Sequence, residues 1–450
     1  LLTLLALLSA ALTWSLRKPL QTILQAPAAS RSARLGSIAL LAGMATAALL
    51  LLDQDSPRGQ GGNTYQHELA SNGPYQFFAA FRNNELDYDQ FYSSLPAEDA
   101  GRQLRAELAE PGTRFLSADP LDIRREIDNP GQPRPLNIVL VTIESLSAKY
   151  LGSFGDTRGL TPNLDRLRRE SLAFTNVYAT GTRTDRGLEA ITLAIPPTPG
   201  RSIVKRIGRE SGYASLGQQL TAKGYDSVFI YGGRGYFDNM NAFFSGNGYR
   251  VVDQSSVDES EISFKNAWGM ADEDLYRETL KLADANYAQQ KPFLLQLMTT
   301  SNHRPYTYPE GRIDIKSGNG RDGAVKYTDY ALGQFVAKAR ASEYWQDTVF
   351  VVVADHDIRV RGDSLVPIER FHIPGLILGA DIKPRRIKTV ASQIDLPPTL
   401  LSLIGIDAKH PMIGRDLTQE PDGQPGRAMM QYEQNYAWME GRKVVVLRPD

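Results

Sequence analysis

The sequence predicts an α/β fold in which a mostly parallel sheet is flanked by helices, and three observations predict it. Short apolar runs rich in β-branched residues occur at 138–143, 227–231, 293–298, 349–354 and 373–378. Amphipathic helical patterns lie between them, at 162–171, 216–223, 272–289, 325–342 and 396–404. The runs are continuous and do not alternate apolar with polar residues. Each strand is therefore buried on both faces, as in a parallel sheet covered by helices.

The elements before this pattern read as an anchor and a linker. Residues 1–14 are apolar and uncharged but short, and the first residue is Leu, so the run reads as the tail of a membrane helix within a longer protein. Residues 36–52 form a second apolar run at the lower limit for a bilayer span. A signal peptide fits poorly, because there are two runs and no small-residue cleavage pattern. Between them stand Arg17, Lys18, Arg31 and Arg34 with no acidic residue. By the positive-inside rule this loop is cytoplasmic and everything after Asp53 lies outside the cytoplasm. Residues 56–63 are polar and Gly-rich, and 65–109 mix aromatic and charged residues at helical spacing. Residues 129–135 hold three prolines and a glycine, which marks a boundary. The expected division is a transmembrane anchor at 1–53, a juxtamembrane helical linker at 54–135 and a catalytic domain at 136–450. At the far end, 429–447 reads as two strands around 439–442 that form an antiparallel edge.

Composition excludes several classes. A chain of 450 residues, 42% hydrophobic and 22% charged, can bury one large core with accessory segments, or two ordinary domains. The net charge is −1 with no Lys/Arg-rich stripe, which argues against a nucleic-acid partner. The absence of cysteine excludes disulfides, thiolate zinc sites and cysteine nucleophiles.

Ligands of such sheets bind beyond the carboxyl ends of the strands. Glu144 follows the first run; Thr299, Thr300, Ser301, Asn302 and His303 follow the third; Asp355, His356 and Asp357 follow the fourth. Oxygen and imidazole donors on one rim suit a divalent cation such as Mn²⁺, Mg²⁺ or Zn²⁺. Each signal also has an ordinary reading: Glu144 as a helix cap, the Asp-His pair as a surface turn. In TGTRTDRGLE, residues 180–189, Thr184 runs into a helical pattern between Arg183 and Arg186. A threonine there is commonly a cap. The functional alternative is a hydroxyl acidified by a metal that attacks phosphorus, with the helix start and the arginines stabilising phosphoryl oxygens.

Five segments, IESLSAKYLGSFG, LTPNLDRL, GTRTDRGLEA, TTSNHRPYTYP and VVADH, occur in this order. Together they resemble the lipoteichoic acid synthase family of the alkaline phosphatase/sulfatase superfamily. Gram-negative members of that family include phosphoglycerol transferases that modify periplasmic glucans. The resemblance covers about residues 137–415. It implies Glu144, Thr184, Asp355 and His356 as metal ligands, Thr184 as nucleophile, and His303 near the substrate phosphate. It places Arg234, Phe237 and Asn239, in GGRGYFDN, where the family contacts glycerophosphate. The synthases carry a tryptophan and an arginine at the positions nearest Phe237 and Asn239. Arg183 and Asn302 complete the expected substrate-binding set. His372 either supports the site or is structural. Sulfatases convert a Cys or Ser in C/S-x-P-x-R to formylglycine; here Thr184, Asp185, Arg186 and Gly187 stand there, which disfavours sulfate-ester hydrolysis.

The function so implied is transfer of phosphoglycerol from phosphatidylglycerol, through a covalent threonine intermediate, to a hydroxyl of a periplasmic glucan or other polyol. One divalent ion, Mn²⁺ before Mg²⁺ or Zn²⁺, is the implied cofactor. The implied location is the inner membrane, multi-pass, with the catalytic domain in the periplasm. The alternatives are a lipid phosphodiesterase or phosphatase, a phosphoethanolamine transferase, or a non-catalytic lipid sensor.

Overall fold

The computed structural model describes residues 30–51, 91–129, 133–357, 364–420 and 423–449, together with Trp14, Ser15, Arg17 and Gly362. Two compact units are present, Leu1–Asn84 and Glu85–Asp450. The first contains helix α1, Arg31–Leu51, of 21 residues. The expected span at 36–52 falls largely on α1, but Arg31 and Arg34 occupy its first turn. Among the described residues no helix is long and apolar enough to cross a membrane. Most of 1–14, together with 52–53 of the expected anchor and 54–90 of the expected linker, lie outside the described residues.

The second unit starts its described part with helix α2, Ala97–Glu107, and strands β1, Thr113–Phe115, and β2, Arg125–Ile127. Strands β1 and β2 join β12, Ala408–His410, in a small antiparallel sheet, so this segment packs against the C-terminal part of the chain.

The main sheet holds β3, Asn137–Ile143; β4, Leu172–Tyr178; β5, Asp226–Tyr231; β6, Arg250–Asp253; β7, Phe293–Met298; β8, Thr348–Ala354; β9, His372–Gly379; β10, Arg385–Ile387; and β11, Ala391–Ser392. Their order is β10-β4-β9-β8-β3-β7-β5-β6, with β11 beside β4. Every residue of β3, β7 and β8 is buried, which is why these three read as unbroken apolar runs. The sheet is mixed, a refinement of the parallel reading: β9 runs antiparallel to both β4 and β8. Burial on two faces produces the same apolar run in either direction, so the sequence pattern could not distinguish them.

Helices α3, Pro162–Arg169; α4, Thr184–Leu193; α5, Leu216–Thr221; α6, Met240–Ser245; α7, Asp272–Ala288; α8, Arg321–Arg340; and α9, Leu396–Leu403, connect the strands. Pro162 sits in the first turn of α3, where a missing N–H costs nothing. The next N–H groups of α3, those of Asn163 and Leu164, donate to the Asp329 carboxylate of α8 at 3.0 and 2.7 Å. The C-terminal expectation needs correction. Residues 427–447 form three strands, β13 (Arg427–Tyr432), β14 (Asn435–Glu440) and β15 (Lys443–Leu447), in a sheet of their own and not on the edge of the main sheet.

Candidate active site and metal centre

The register of the central strands assembles the site. Ile143 of β3 pairs with Ala354 of β8, and Thr142 pairs with Met298 of β7. The residues that follow, Glu144, Asp355 and Thr299, therefore emerge side by side. The Glu144 N–H donates to Thr299 Oγ1 at 3.0 Å, and Asp355 Oδ1 accepts from the N–H groups of Ser145 and His356, both at 2.7 Å. Ser145 is held at φ 50°, a left-handed conformation that a non-glycine residue adopts at a cost when its surroundings enforce it.

Donor atoms of Glu144, Asp355 and His356 lie within 4.8 Å of one another, and all three residues are buried. The His356 Nδ1 contacts the carbonyl of Asp357, which can only accept, so Nδ1 carries a proton and in the neutral ring Nε2 keeps its lone pair. That Nε2 is 3.4 Å from Asp355 Oδ2 and 4.0 Å from Glu144 Oε1. Asp355 Oδ2 is buried and accepts no hydrogen bond among the described residues. Burial and the Glu144 charge push the Asp355 carboxyl well above the usual range, against the opposing pull of His356. Burial pulls the His356 imidazole down, but Asp355 and Glu144 outweigh it and the net direction is up. Two carboxylates and an imidazole crowded together in this way, with an oxygen left unsatisfied, fit a divalent cation.

Thr184 closes the group. Its Oγ1 donates to Glu144 Oε2 at 3.2 Å. The cap position of α4 is Arg183, in extended conformation and with no side-chain hydrogen bond to the helix start. Thr184 is the first residue of α4 and does not cap it, which leaves its hydroxyl to Glu144. Helix α4 lies close to β8: a Cβ added at Gly187 would stand 2.4 Å from the Asp355 carbonyl oxygen. Only glycine permits that approach, which brings Thr184 to the carboxylates.

A cavity of about 630 Å³ opens over this group. Glu144, Thr184, His356, His303, Arg183, Asn302 and Phe237 all line it. Asn302 Nδ2 donates to the Glu144 carbonyl at 2.9 Å, which braces the loop that carries the ligand. His303 Nδ1 contacts the Arg304 carbonyl at 3.0 Å, so the neutral ring keeps Nε2 as an acceptor.

Four residues fall elsewhere. Arg234 lines an adjoining cleft and not this cavity. Asn239 turns away, donating to the Val204 carbonyl at 3.1 Å. Arg186 is buried and paired with Glu189 at 3.1 Å, so it supports the helix and does not face a ligand. His372 packs on Tyr178 and Phe154 while its Nε2 donates to the Thr175 carbonyl at 2.9 Å, a structural placement.

The structure adds residues that the sequence pattern did not single out. Lys205 lines the cavity and bridges Asp238, at 3.0 Å, and Asp185, at 3.4 Å. Trp268 stacks within 3.7 Å of the His303 ring, centroid to centroid. Arg321 donates through Nη2 to the Ser145 carbonyl at 2.9 Å, and its buried Nε has no partner among the described residues. A tryptophan inside a polar loop was the one signal that could have pointed to Trp268. Arg321 precedes the helical pattern read at 325–342 and Lys205 lies between two of the helical patterns, so no spacing singled out either.

Residues 136–406 match the Sulfatase family over more than half of the chain. The chain belongs to the sulfatase family. This sulfatase-family chain is 25% identical over 315 residues to lipoteichoic acid synthase 2 of Bacillus subtilis, covering 64% of this chain and 48% of that protein. It is 27% identical over 318 residues to phosphoglycerol transferase I of Xanthomonas campestris pv. campestris, covering 65% and 44%. The chain thus spans about half the length of these curated relatives. Among solved structures, a protein in the alkaline phosphatase superfamily from Vibrio parahaemolyticus superposes with a TM-score of 0.76 at 43% identity, covering 81% of this chain and 88% of that one. The lipoteichoic acid synthase LtaP from Listeria monocytogenes shares the fold, with a TM-score of 0.60 at 20% identity and coverage of 77% and 88%.

Proposed function

We propose that the protein is a transferase that moves a phosphoglycerol group from phosphatidylglycerol to an acceptor hydroxyl, with Thr184 as nucleophile. The observation that carries this reading is the hydroxyl of Thr184, 3.2 Å from Glu144 beside the buried Asp355 and His356, at the mouth of one cavity. Relatives named lipoteichoic acid synthase and phosphoglycerol transferase support the choice of group transferred. Glu144, Thr184, Asp355 and His356 would hold the divalent ion, with Mn²⁺ our first choice. That ion would offset phosphoryl charge and lower the pKa of the hydroxyl it touches.

In this reading the chain's own groups do the rest. The start of α4 and Arg183 offset negative charge on the phosphoryl oxygens. His303 and Arg321, which line the same cavity, would contact the headgroup. Thr184 Oγ1 attacks phosphorus, the P–O bond to diacylglycerol breaks and the hydroxyl proton ends on the departing diacylglycerol oxygen, which gives a glycerophospho-threonine; an acceptor hydroxyl then forms the new P–O bond and returns its proton to Thr184 Oγ1. An anchor upstream of 136–450 would keep the site beside its lipid, with the catalytic domain in the periplasm. No cysteine is present for a formylglycine, and the side chain beside Glu144 is threonine, so sulfate-ester cleavage is not the reading we adopt.

Intact-protein mass spectrometry after incubation with phosphatidylglycerol and Mn²⁺ tests the proposal. A glycerophosphate adduct located on Thr184 is the expected result. Diacylglycerol release with no adduct at any time, including under rapid quench, would overturn the covalent route.

A further inference from the structure

The strand register that gathers Glu144, Asp355 and His356 does not by itself place Thr184, which arrives on a separate helix. One buried amide joins the two sides. Gln393 stands in the single helical turn Gln393–Asp395 that leads into α9, and its side chain is fully buried. Its Nε2 donates to the Asp355 carbonyl at 2.6 Å and to the Ala354 carbonyl at 2.8 Å. Its Oε1 accepts from the Thr180 N–H at 2.9 Å. We propose that Gln393 is a positioning residue for the transfer reaction, setting where Thr184 stands relative to the carboxylates of the metal centre. The inference rests on the reading of Thr184 as nucleophile and metal ligand.

The path from Gln393 to Thr184 is short and closed. Thr180 Oγ1 donates to the Arg186 carbonyl at 3.2 Å, so the residue that Gln393 holds in turn holds the first turn of α4. The next residue is Gly187, whose bare Cα lets the helix approach the Asp355 carbonyl. Both contacts therefore end on the same carbonyl, one through the amide and one through the glycine. Thr184 lies between Thr180 and Arg186 in the chain, inside this ring of contacts.

The two sides of the ring are not equally secure. Asp355 has fastenings of its own. Its N–H donates to the Ile143 carbonyl at 3.2 Å, and its Oδ1 accepts from the N–H groups of Ser145 and His356. Residues 179–183 belong to no strand or helix. The Gln431 N–H holds the Thr180 carbonyl at 2.8 Å, but that contact leads to the C-terminal sheet and not to β8. Loss of the Gln393 amide thus frees the Thr184 side more than the Asp355 side.

The partners also explain why the residue is a glutamine. Two carbonyls can only accept and an N–H can only donate, so the group between them must offer two donors and an acceptor. A carboxylate of the same length would set oxygen against the Asp355 and Ala354 carbonyls. A thioether would leave buried backbone groups without partners. The turn that carries the amide is itself fixed. The Asp395 carboxylate accepts from the N–H groups of Ser392 and Arg415, both at 2.9 Å, and pairs with the Arg415 guanidinium at 3.2 Å. The amide is therefore in place before any ligand arrives.

The test measures Mn²⁺ binding to the full chain by isothermal titration, in the wild type, Gln393→Met, Thr184→Ala and the double variant. Gln393→Met is expected to weaken Mn²⁺ binding about tenfold. In the Thr184→Ala background the ligand that Gln393 positions is already gone, and the same change is expected to shift the affinity by less than about twofold. With phosphatidylglycerol as substrate, Gln393→Met should lower kcat about 10- to 100-fold and leave KM within about twofold. An equal loss of Mn²⁺ affinity in both backgrounds overturns the assignment, as does unchanged affinity and kcat in Gln393→Met. Thr180→Val keeps the N–H that Gln393 accepts and removes only the hydroxyl bond to Arg186, so it decides the matter if Gln393→Met does not fold. It is expected to weaken Mn²⁺ binding and lower kcat about threefold each, and no change in either overturns the proposal. A wild type that binds no Mn²⁺ counts against the metal-centre reading instead, and amide hydrogen exchange then decides Gln393. Faster exchange confined to residues 180–190 in the variants supports the positioning role. Unchanged exchange there, or faster exchange throughout the main sheet, overturns it.

Discussion

Thr184 Oγ1 and Glu144 Oε2 meet at 3.2 Å, although one residue begins a helix and the other follows a strand 40 positions earlier in the chain. The contact turns the Thr184 hydroxyl toward the Glu144 carboxylate. That orientation gives the first prediction. Thr184→Ala should fold, lose adduct and turnover, and change stability by less than about 1 kcal/mol, since no cap is removed. Thr184→Ser should retain activity. Urea melts and intact mass spectra check both; an active Thr184→Asp, a good cap without a hydroxyl, would sink the covalent mechanism.

The crowded carboxylates predict metal-linked stability. At an Mn²⁺ concentration 100 times Kd, the folded protein should gain about 2.7 kcal/mol. His356→Ala and Glu144→Gln should lose most of that gain and most bound metal. Thermal melts with and without Mn²⁺, and elemental analysis of dialysed protein, read this without any activity assay. Equal Mn²⁺ stabilisation in both variants would remove these residues as ligands.

Arg321 offers a buried Nε–H with no described partner, beside the cavity. Arg321→Lys keeps the charge but loses the planar fork of donors. We expect kcat/KM for phosphatidylglycerol to fall about 10- to 100-fold, corresponding to about 1.4–2.7 kcal/mol, with little change in melting temperature. A loss of stability in step with the loss of activity would assign Arg321 to bracing Ser145 alone.

Gly187→Ala places a methyl group 2.4 Å from the Asp355 carbonyl oxygen, and backbone atoms cannot yield as a side chain does. The substitution should cost about 1–3 kcal/mol and push α4 from β8. Metal affinity should drop with it, because Thr184 moves away from Glu144. Isothermal titration with Mn²⁺ against urea stability reads both; unaltered affinity would mean that α4 can shift without disturbing the ligands.

Asp329 predicts a pH dependence of stability. Its folded-state pKa is raised to about 6, with burial the largest cause and the N–H groups of Leu164 and Asn163 opposing it. The unfolded carboxyl titrates near 3.8. Between about pH 4 and 6 the folded state therefore holds a proton that the unfolded state has released. Stability from this group is fully present below about pH 4 and is lost as pH rises toward 6, by about 3 kcal/mol in all. Asp329→Asn should flatten that part of the stability profile. An unchanged slope between pH 4 and 6 in urea melts would assign it to other groups.

The sequence by itself determined the centre of this protein. Unbroken apolar runs fixed β3, β7 and β8 as doubly buried strands, and residues just past such strands must gather on one rim. Glu144, Asp355, His356 and the 299–303 cluster were legible for that reason. Thr184 was legible as a hydroxyl at a helix start, but its role was open between cap and nucleophile. Only the tertiary structure decided that Arg183 takes the cap position, because a hydroxyl's partner depends on which strand end packs beside it. The same holds for Arg186, buried against Glu189, for Asn239, turned to Val204, and for Arg234, displaced into the neighbouring cleft. It holds too for Lys205, Trp268 and Arg321, which reach the cavity from loops and a helix start with no periodic signal. Strand position is set by local burial, which composition records; side-chain direction in loops is set by long-range contacts, which it does not.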